Sequence, residues 1–339
     1  HWDGNKWHRA TVSPAYVSQP DIFGIYMLSS GEGWAVGGDP TTGTPEALKW
    51  SGSTWTGQPI AGCGYCNAIP LAVFMISGGT GGDGWAVGTA GRIWRYQSGS
   101  WGIQSSPTTN NLNGVFISNP GSNTNAGWAV GDSGTVLKLQ IVSGTPTWIL
   151  IGIPGITTQN LYGVFFTDSN HGFIVGSSAT VVQTTDGGAS WSGGPNAVTL
   201  GPPLPATTNL RSVYINTFGI GSGNGDGWAV GDDGTAAANA VFAHWDGAGW
   251  TNWPLIPPLA SSPFGLGLRS VYLTSPDDGF AVGAGVAGAT SPLSGIFHLD
   301  PPNLPMQIVA TSTGVTTSVG GGTTSTGAIT ATITSTTTG

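Results

Sequence analysis

The stretch Gly33-Trp34-Ala35-Val36-Gly37 constrains this chain more than any other, because it keeps returning. It recurs unchanged at 84–88, 127–131 and 227–231, and with phenylalanine as Gly172-Phe173-Ile174-Val175-Gly176 and Gly279-Phe280-Ala281-Val282-Gly283. A spacing of about 43 to 55 residues is that of a propeller blade or a solenoid unit. Within each copy the aromatic residue and the valine, two apart, face the same side of a short strand. The bland account of such a pattern is packing, and Trp34, Trp85, Trp128, Phe173, Trp228 and Phe280 are expected between neighbouring blades.

Each copy sits second in a four-strand unit. An aromatic- or Val-bearing strand precedes it, as in Gly114-Val115-Phe116-Ile117 or Ser212-Val213-Tyr214-Ile215. A third strand follows a Gly-centred turn, and a fourth opens on Trp55, Trp101, Trp148, Trp191 or Trp250. Four short strands cannot bury two faces alone, so such units stack. The expected fold class is therefore all-β: a β-propeller of four-stranded blades, seven by this reading and six as the alternative. His1-Trp2-Asp3-Gly4-Asn5-Lys6-Trp7 reads as a hairpin, twin to His244-Trp245-Asp246-Gly247-Ala248-Gly249-Trp250, so the sequence opens in the second half of a unit. The propeller is expected over residues 1–310. Residues 311–339 form a Thr/Ser/Gly-rich tail, a stalk or a strand donor, with Gly314–Gly320 and Ala328–Thr334 as its β-branched segments.

Composition narrows the function classes. Glutamate occurs only at Glu32 and Glu46 among 16 acids, and glycine at 58 positions. Asp and Gly serve turns where Glu serves helices. A net charge of −8 with eight cations excludes a nucleic-acid binder, which needs clustered Lys and Arg. No apolar run reaches the length of a membrane-spanning helix.

No constellation names a reaction. Cys63-Gly64-Tyr65-Cys66 is the only cysteine pair, set in a Gly- and Pro-rich connector, and is expected as a loop-stapling disulfide in an oxidising compartment. Gly-Asp-Gly at 82–84 and 225–227 carries too few acids per loop for calcium. Asp168, Asp277 and Asp278 share a position between the first two strands of their units, and are the candidates for a paired-carboxylate glycosidase. Arg9, Arg92, Arg95, Arg211 and Arg269 fall in third strands or just before first ones, in no single pattern. No catalytic residue, cofactor or metal is expected.

Thr184-Thr185-Asp186-Gly187-Gly188-Ala189-Ser190-Trp191 resembles an Asp-box, with Thr184, Asp186, Gly188 and Trp191 at the positions of its pattern. With Gly172–Gly176 before it, this unit resembles blades of the photosystem assembly factor group and related sialidase-like propellers. The resemblance implies a structural hairpin, with Asp186 accepting hydrogen bonds from turn amides. It covers residues 1–310 as a repeat style, and the complete box occurs once.

The function expected from these features is a non-catalytic, extracellular structural or adhesive propeller, a subunit of a cell-surface or filament assembly. Its expected partners are copies of itself, surface proteins or glycans. Any sugar would be O-linked on the tail, since the chain holds no Asn-x-Ser/Thr sequon. Two alternatives stand beside this: a polysaccharide-binding or glycoside-hydrolysing propeller, and an assembly factor that docks on a partner complex.

Overall fold

The computed structural model describes residues 11–13, 21–60, 67–77, 82–117, 126–153, 155–198, 201–216, 225–235, 239–253, 266–275, 278–285, 294–299, 309–311 and 330–332. Two compact units divide the chain, His1–Val164 and Phe165–Gly339.

In the first unit, β1 (Thr11–Ser13), β2 (Asp21–Ser29), β3 (Glu32–Asp39), β4 (Thr44–Trp50) and β5 (Thr54–Gln58) form one sheet. Its order is β1-β5-β4-β3-β2, antiparallel throughout except that β1 adds parallel to β5. The second blade is β6 (Pro70–Ser77), β7 (Asp83–Gly88), β8 (Ile93–Gln97) and β9 (Ser100–Gln104). The third is β10 (Leu112–Ile117), β11 (Gly127–Gly131), β12 (Thr135–Val142) and β13 (Thr145–Leu150). β14 (Leu161–Phe166) crosses the division and heads a sheet with β15 (Gly172–Gly176), β16 (Thr180–Thr184) and β17 (Ser192–Gly194).

The second unit continues with β18 (Asn209–Asn216), β19 (Asp226–Asp232), β20 (Ala240–Trp245) and β21 (Trp250–Trp253). A three-stranded sheet follows, β22 (Leu266–Ser275), β23 (Asp278–Gly285) and β24 (Ser294–Leu299). β25 (Val309–Thr311) and β26 (Thr330–Thr332) pair antiparallel with each other. Of Leu304–Ala310, expected as the fourth strand of the sixth unit, only Val309 and Ala310 lie within the described residues, where they pair with β26. The tail strand inside Ala328–Thr334 therefore pairs with its own chain. The His1–Trp7 hairpin and Gly314–Gly320 lie outside the described residues.

The recurrent five-residue strand explains the architecture from both ends. Its closing glycine is extended, with φ −167° at Gly88 and −162° at Gly131, so left-handed freedom is not why glycine stands there. A Cβ on Gly88 or Gly131 would overlap the carbonyl of Ile69 or Asn111, because the chain entering the leading strand crosses directly over it. At the opening glycine a Cβ would strike a leading-strand side chain, Met75 at Gly84 and Ile117 at Gly127. Between the glycines the large side chains point forward. Trp34 and Val36 share a core with Val73, Met75 and Ala86, and Trp85 and Val87 with Val115, Ile117 and Ala129. In the second unit Phe173 and Val175 meet Val213, Ile215 and Ala229, and Trp228 and Val230 meet Val271, Leu273 and Ala281. Alanine at the middle of the strand is the small face that receives the aromatic from the blade before. Trp128 is buried and Phe280 half-buried.

Candidate functional site

The leading strands β2, β6, β10, β18 and β22 share an irregularity near their start. Pairing with the second strand slips between Ile22 and Gly24, Pro70 and Ala72, Leu112 and Gly114, Leu210 and Ser212, and Leu268 and Ser270. One residue per blade is thrown out at that level: Phe23, Leu71, Asn113, Arg211 and Arg269. Such bulges re-aim a side chain away from the pleat, often beside functional sites.

In the first unit this position is built from amides. Asp132 accepts from Asn111 Nδ2 and Asn113 Nδ2, both at 2.9 Å, and Asn113 also donates to the Leu161 carbonyl at 2.9 Å. The tight turns after β7 and β11 lock onto it. Ala90 and Ser133, at φ +54° and +56°, aim their amides at Asn111 Oδ1 and Asn160 Oδ1, at 2.9 and 3.0 Å.

In the second unit the same position carries charge. Asp232, buried, accepts from Asn209 Nδ2 at 2.8 Å, Arg211 Nε at 2.7 Å and the Gly234 amide at 3.1 Å. The carboxylate thus orients the Arg211 guanidinium through Nε. Arg269 occupies the equivalent place on β22 and is exposed. β18 and β22 run together: the Val271 amide donates to Ser212 Oγ at 3.3 Å, and the Tyr214 and Tyr272 rings lie 4.9 Å apart. Two guanidinium groups at equivalent bulge positions of strands that also bring a tilted tyrosine pair together suit a carboxylate-bearing, partly aromatic ligand. Sequence reasoning noted both arginines without joining them. The signal was the pentapeptide Leu-Arg-Ser-Val-Tyr, present at 210–214 and again at 268–272.

A second recurrent arrangement flanks the strand aromatics. Across β3 and β4, Lys49 lies 4.9 Å from the Trp34 ring and 2.9 Å from Glu32. Across β7 and β8, Arg95 lies 5.0 Å from the Trp85 ring and grips both oxygens of Asp83, at 2.7 and 2.9 Å. Lys138 covers Trp128 at 4.8 Å. His244 contacts Asp226 at 3.0 Å, its ring 4.6 Å from Trp228. These pairs lid the buried aromatics, and they occupy cations that could otherwise form a basic patch.

The turn at Thr184–Trp191 is closed by its own side chains. Asp186 accepts from the Ser190 amide at 2.9 Å and from the Thr184 hydroxyl at 2.8 Å, and Ser190 Oγ donates to its other oxygen. Gly188 N donates to Thr184 Oγ1 at 2.9 Å, and the Trp191 ring stands edge-on to Phe166 at 6.2 Å. These donors hold the Asp186 carboxyl down to about 2, the Ser190 hydroxyl and amide contributing most. These hydrogen bonds are all internal to the turn.

The remaining candidates do not converge. Asp168 accepts from the Asn170 and His171 amides, at 2.7 and 2.8 Å, and contacts His171 Nδ1 at 2.8 Å, which makes it a turn residue. Asp277 and the Asp278 side chain lie outside the described residues, as do Cys63 and Cys66, so the disulfide expectation falls there too. Among the described residues no cluster of three metal-ligating side chains occurs. Among the described residues no helix is long and apolar enough to cross a membrane.

Residues 143–268 match the model of a family described as photosynthesis system II assembly factor YCF48. The Photosystem II assembly lipoprotein Ycf48 of Synechococcus sp. (strain CC9902) is 32% identical over 135 residues, 40% of this chain and 35% of that protein. The chain therefore spans about a third of the length of the curated relative it matches. Among solved structures, YCF48 bound to D1 peptide superposes with a TM-score of 0.54 at 16% identity, over 84% of this chain and 78% of that one. The WD40 repeats of RRP9 give 0.56 at 12% identity, over 86% and 80%. At these identities the structures establish the fold, which is a β-propeller.

These findings correct three expectations and weaken one alternative. The matched proteins assemble a photosystem and are not adhesive or filament subunits. The solved neighbour holds a peptide of another protein, not a second copy of itself, a surface protein or a glycan. Lipoproteins of photosystem II assembly do not support an extracellular or cell-surface location, nor O-linked sugar on a stalk. The matched family is one of assembly factors and not of enzymes, so the glycosidase alternative is not supported. The misreading has a physical source. Ser, Thr and Gly are abundant because every blade needs turns, and turn chemistry carries no information about location.

Proposed function

We propose that this chain is an assembly factor of the photosystem II type that docks on an extended peptide of its client. The docking surface is the bulge rim of β18 and β22. The supporting observation is that the family match, residues 143–268, covers all of β18 with Arg211 and reaches the first three residues of β22, stopping just short of Arg269. Arg211, held by Asp232, and Arg269, exposed on β22, supply two guanidinium groups for client carboxylates. Tyr214 and Tyr272 supply aromatic surface. The D1 peptide held by the solved YCF48 is the ligand class to try first.

Fluorescence anisotropy with a labelled D1 peptide tests this. A hydrogen bond to a charged group contributes about 1.5–3 kcal/mol, so Arg269→Ala should weaken binding roughly tenfold or more, and Arg211→Lys should weaken it while keeping the charge on Asp232. Raised salt should weaken binding in the wild type. Equal affinity for the D1 peptide and a scrambled one, or no effect of Arg269→Ala, would overturn the reading.

A further inference from the structure

The outer hairpin of the third blade is built longer than its equivalents. Trp50 with Trp55 and Trp245 with Trp250 are the last pairs of β4–β5 and β20–β21, and β8–β9 runs one pair past Tyr96 with Trp101. β12–β13 continues past the matching pair, Leu139 with Trp148, through Gln140 with Thr147, Ile141 with Pro146 and Val142 with Thr145. At about 3.4 Å per residue the ribbon reaches roughly 10 Å beyond Trp148. A tight turn at Ser143 and Gly144, at φ +50° and +81°, closes it. A Cβ added at Gly144 would meet nothing within 4 Å, so the tip stands clear. The shorter hairpins end on polar or small residues, Gln97-Ser98-Gly99-Ser100 and Asp246-Gly247-Ala248-Gly249. This one ends on Ile141 and Val142, 38% and 45% exposed.

The form of this tip decides what it fits. Consecutive residues of a strand face opposite ways, so Ile141 and Val142 put one aliphatic side chain on each face of the ribbon. A protein surface laid against the hairpin covers one face, while a fluid apolar medium takes both. Two side chains also fall far short of the ~800 Å² per partner of a stable protein interface, which sets aside a second copy of this chain. The tip is also prepared to lose water. From Leu139 to Leu150 the sequence holds no charge. β13 is the outer strand, and its Pro146 carbonyl points away from β12, accepting from Gln104 Nε2 at 2.6 Å. The N–H of a strand residue points the same way as its carbonyl, and proline has none, so this edge presents no open donor there. Gln104 Oε1 accepts in turn from the buried Trp85 indole at 2.7 Å, which roots the hairpin on the second blade.

We propose that the β12–β13 tip inserts Ile141 and Val142 into the interface of a lipid bilayer that carries no net charge. Burial of the two side chains supplies the attraction, and a ribbon whose backbone groups are paired leaves water at little cost. An anionic surface is disfavoured by the net charge of −8 and by the lack of a cation in the tip. The inference goes beyond the peptide-docking reading and does not depend on it, since the hairpin belongs to the first unit and the arginine rim to the second.

The test measures partition of the full chain into phosphatidylcholine vesicles by co-sedimentation. The wild type should partition, at least fivefold less after Ile141→Asp with Val142→Asp and at least fivefold more after Val142→Trp. Brominated phosphatidylcholine should quench the added indole. Because both side chains are exposed, the aspartate pair should keep its melting temperature within a few degrees. If it does not, Ile141→Ser with Val142→Ser replaces it. Failure of the wild type to partition, or equal partition of the substituted pair, overturns the proposal. Partition into anionic vesicles alone, abolished by salt, overturns it in favour of an electrostatic contact. Loss of D1 peptide binding in the substituted pair, with vesicle partition unchanged, overturns it in favour of a client protein. D1 peptide binding is expected to be the same in every hairpin variant. If the D1 peptide binds none of them, nor the wild type, while the vesicle results hold, the arginine-rim reading falls alone.

Discussion

Asp186 shows how much one side chain in a turn can be asked to do. Its carboxyl is held at about 2 by the Ser190 hydroxyl and amide and by Thr184, against roughly 3.9 in an unfolded chain. A depressed folded value means the stabilisation is fully present above about pH 4 and lost as the pH falls through about 2. The expected outcome is that the β16–β17 turn loses amide protection over that interval in the wild type, and that Asp186→Asn removes the pH dependence. Hydrogen exchange or Trp191 fluorescence during acid titration reads this. Gly131 makes a different point. Gly131→Ala should destabilise by about 3 kcal/mol, at the upper end for overpacking, because the Asn111 carbonyl already occupies the space of the new methyl group. Urea denaturation measures it. A neutral result would mean that the strand entry shifts freely.

At the scale of the element, the cross-strand pairs decide how each blade closes over its tryptophan. Arg95 joins Asp83 through two hydrogen bonds and covers Trp85, with both charged side chains about four-fifths buried. Exposed ion pairs contribute little, but a bidentate, partly buried one that also stacks on an indole should contribute about 1–2 kcal/mol. A double-mutant cycle with Arg95→Met and Asp83→Asn should therefore show a coupling near 1 kcal/mol. Additive single effects would reduce the pair to surface decoration. None of these arrangements is visible along the sequence, because Arg95 and Asp83 are twelve residues apart and meet only through the register of β7 on β8.

At the scale of the molecule, each blade depends on its neighbours, since Trp34, Trp85, Phe173 and Trp228 each share a core with the sheet that follows their own. Trp94, fully buried among Trp34, Tyr96 and Trp101, is a test of how far damage spreads. Trp94→Ala should cost about 3–5 kcal/mol, and repeat architectures pass such losses mainly to adjacent units. Amide exchange should rise across β3–β9 well before it rises across β18–β22. Uniform acceleration would show that the chain unfolds as one cooperative body.

The amino-acid sequence by itself determined the repeat, the all-β class, the four-strand parsing of the second to fifth units and the turn at Thr184–Trp191. These are local: period-2 strands, glycine at fixed offsets and a hydrogen-bonded turn are written in consecutive residues. Trp34, Trp85 and Trp228 could be read as packing residues for the same reason. Only the tertiary structure decided which glycines serve close approach and not positive φ, which cations cover which indoles, and that Arg211 and Arg269 stand at equivalent bulge positions. It also paired the tail strand with β25 and carried Ile141 and Val142 beyond Trp148 on a longer hairpin. Each of these depends on contacts between residues distant in the chain, and burial is a property of the neighbour as much as of the side chain itself. The partner was legible in neither alone, since turn-rich composition reflects the needs of the fold and not the place where the protein works.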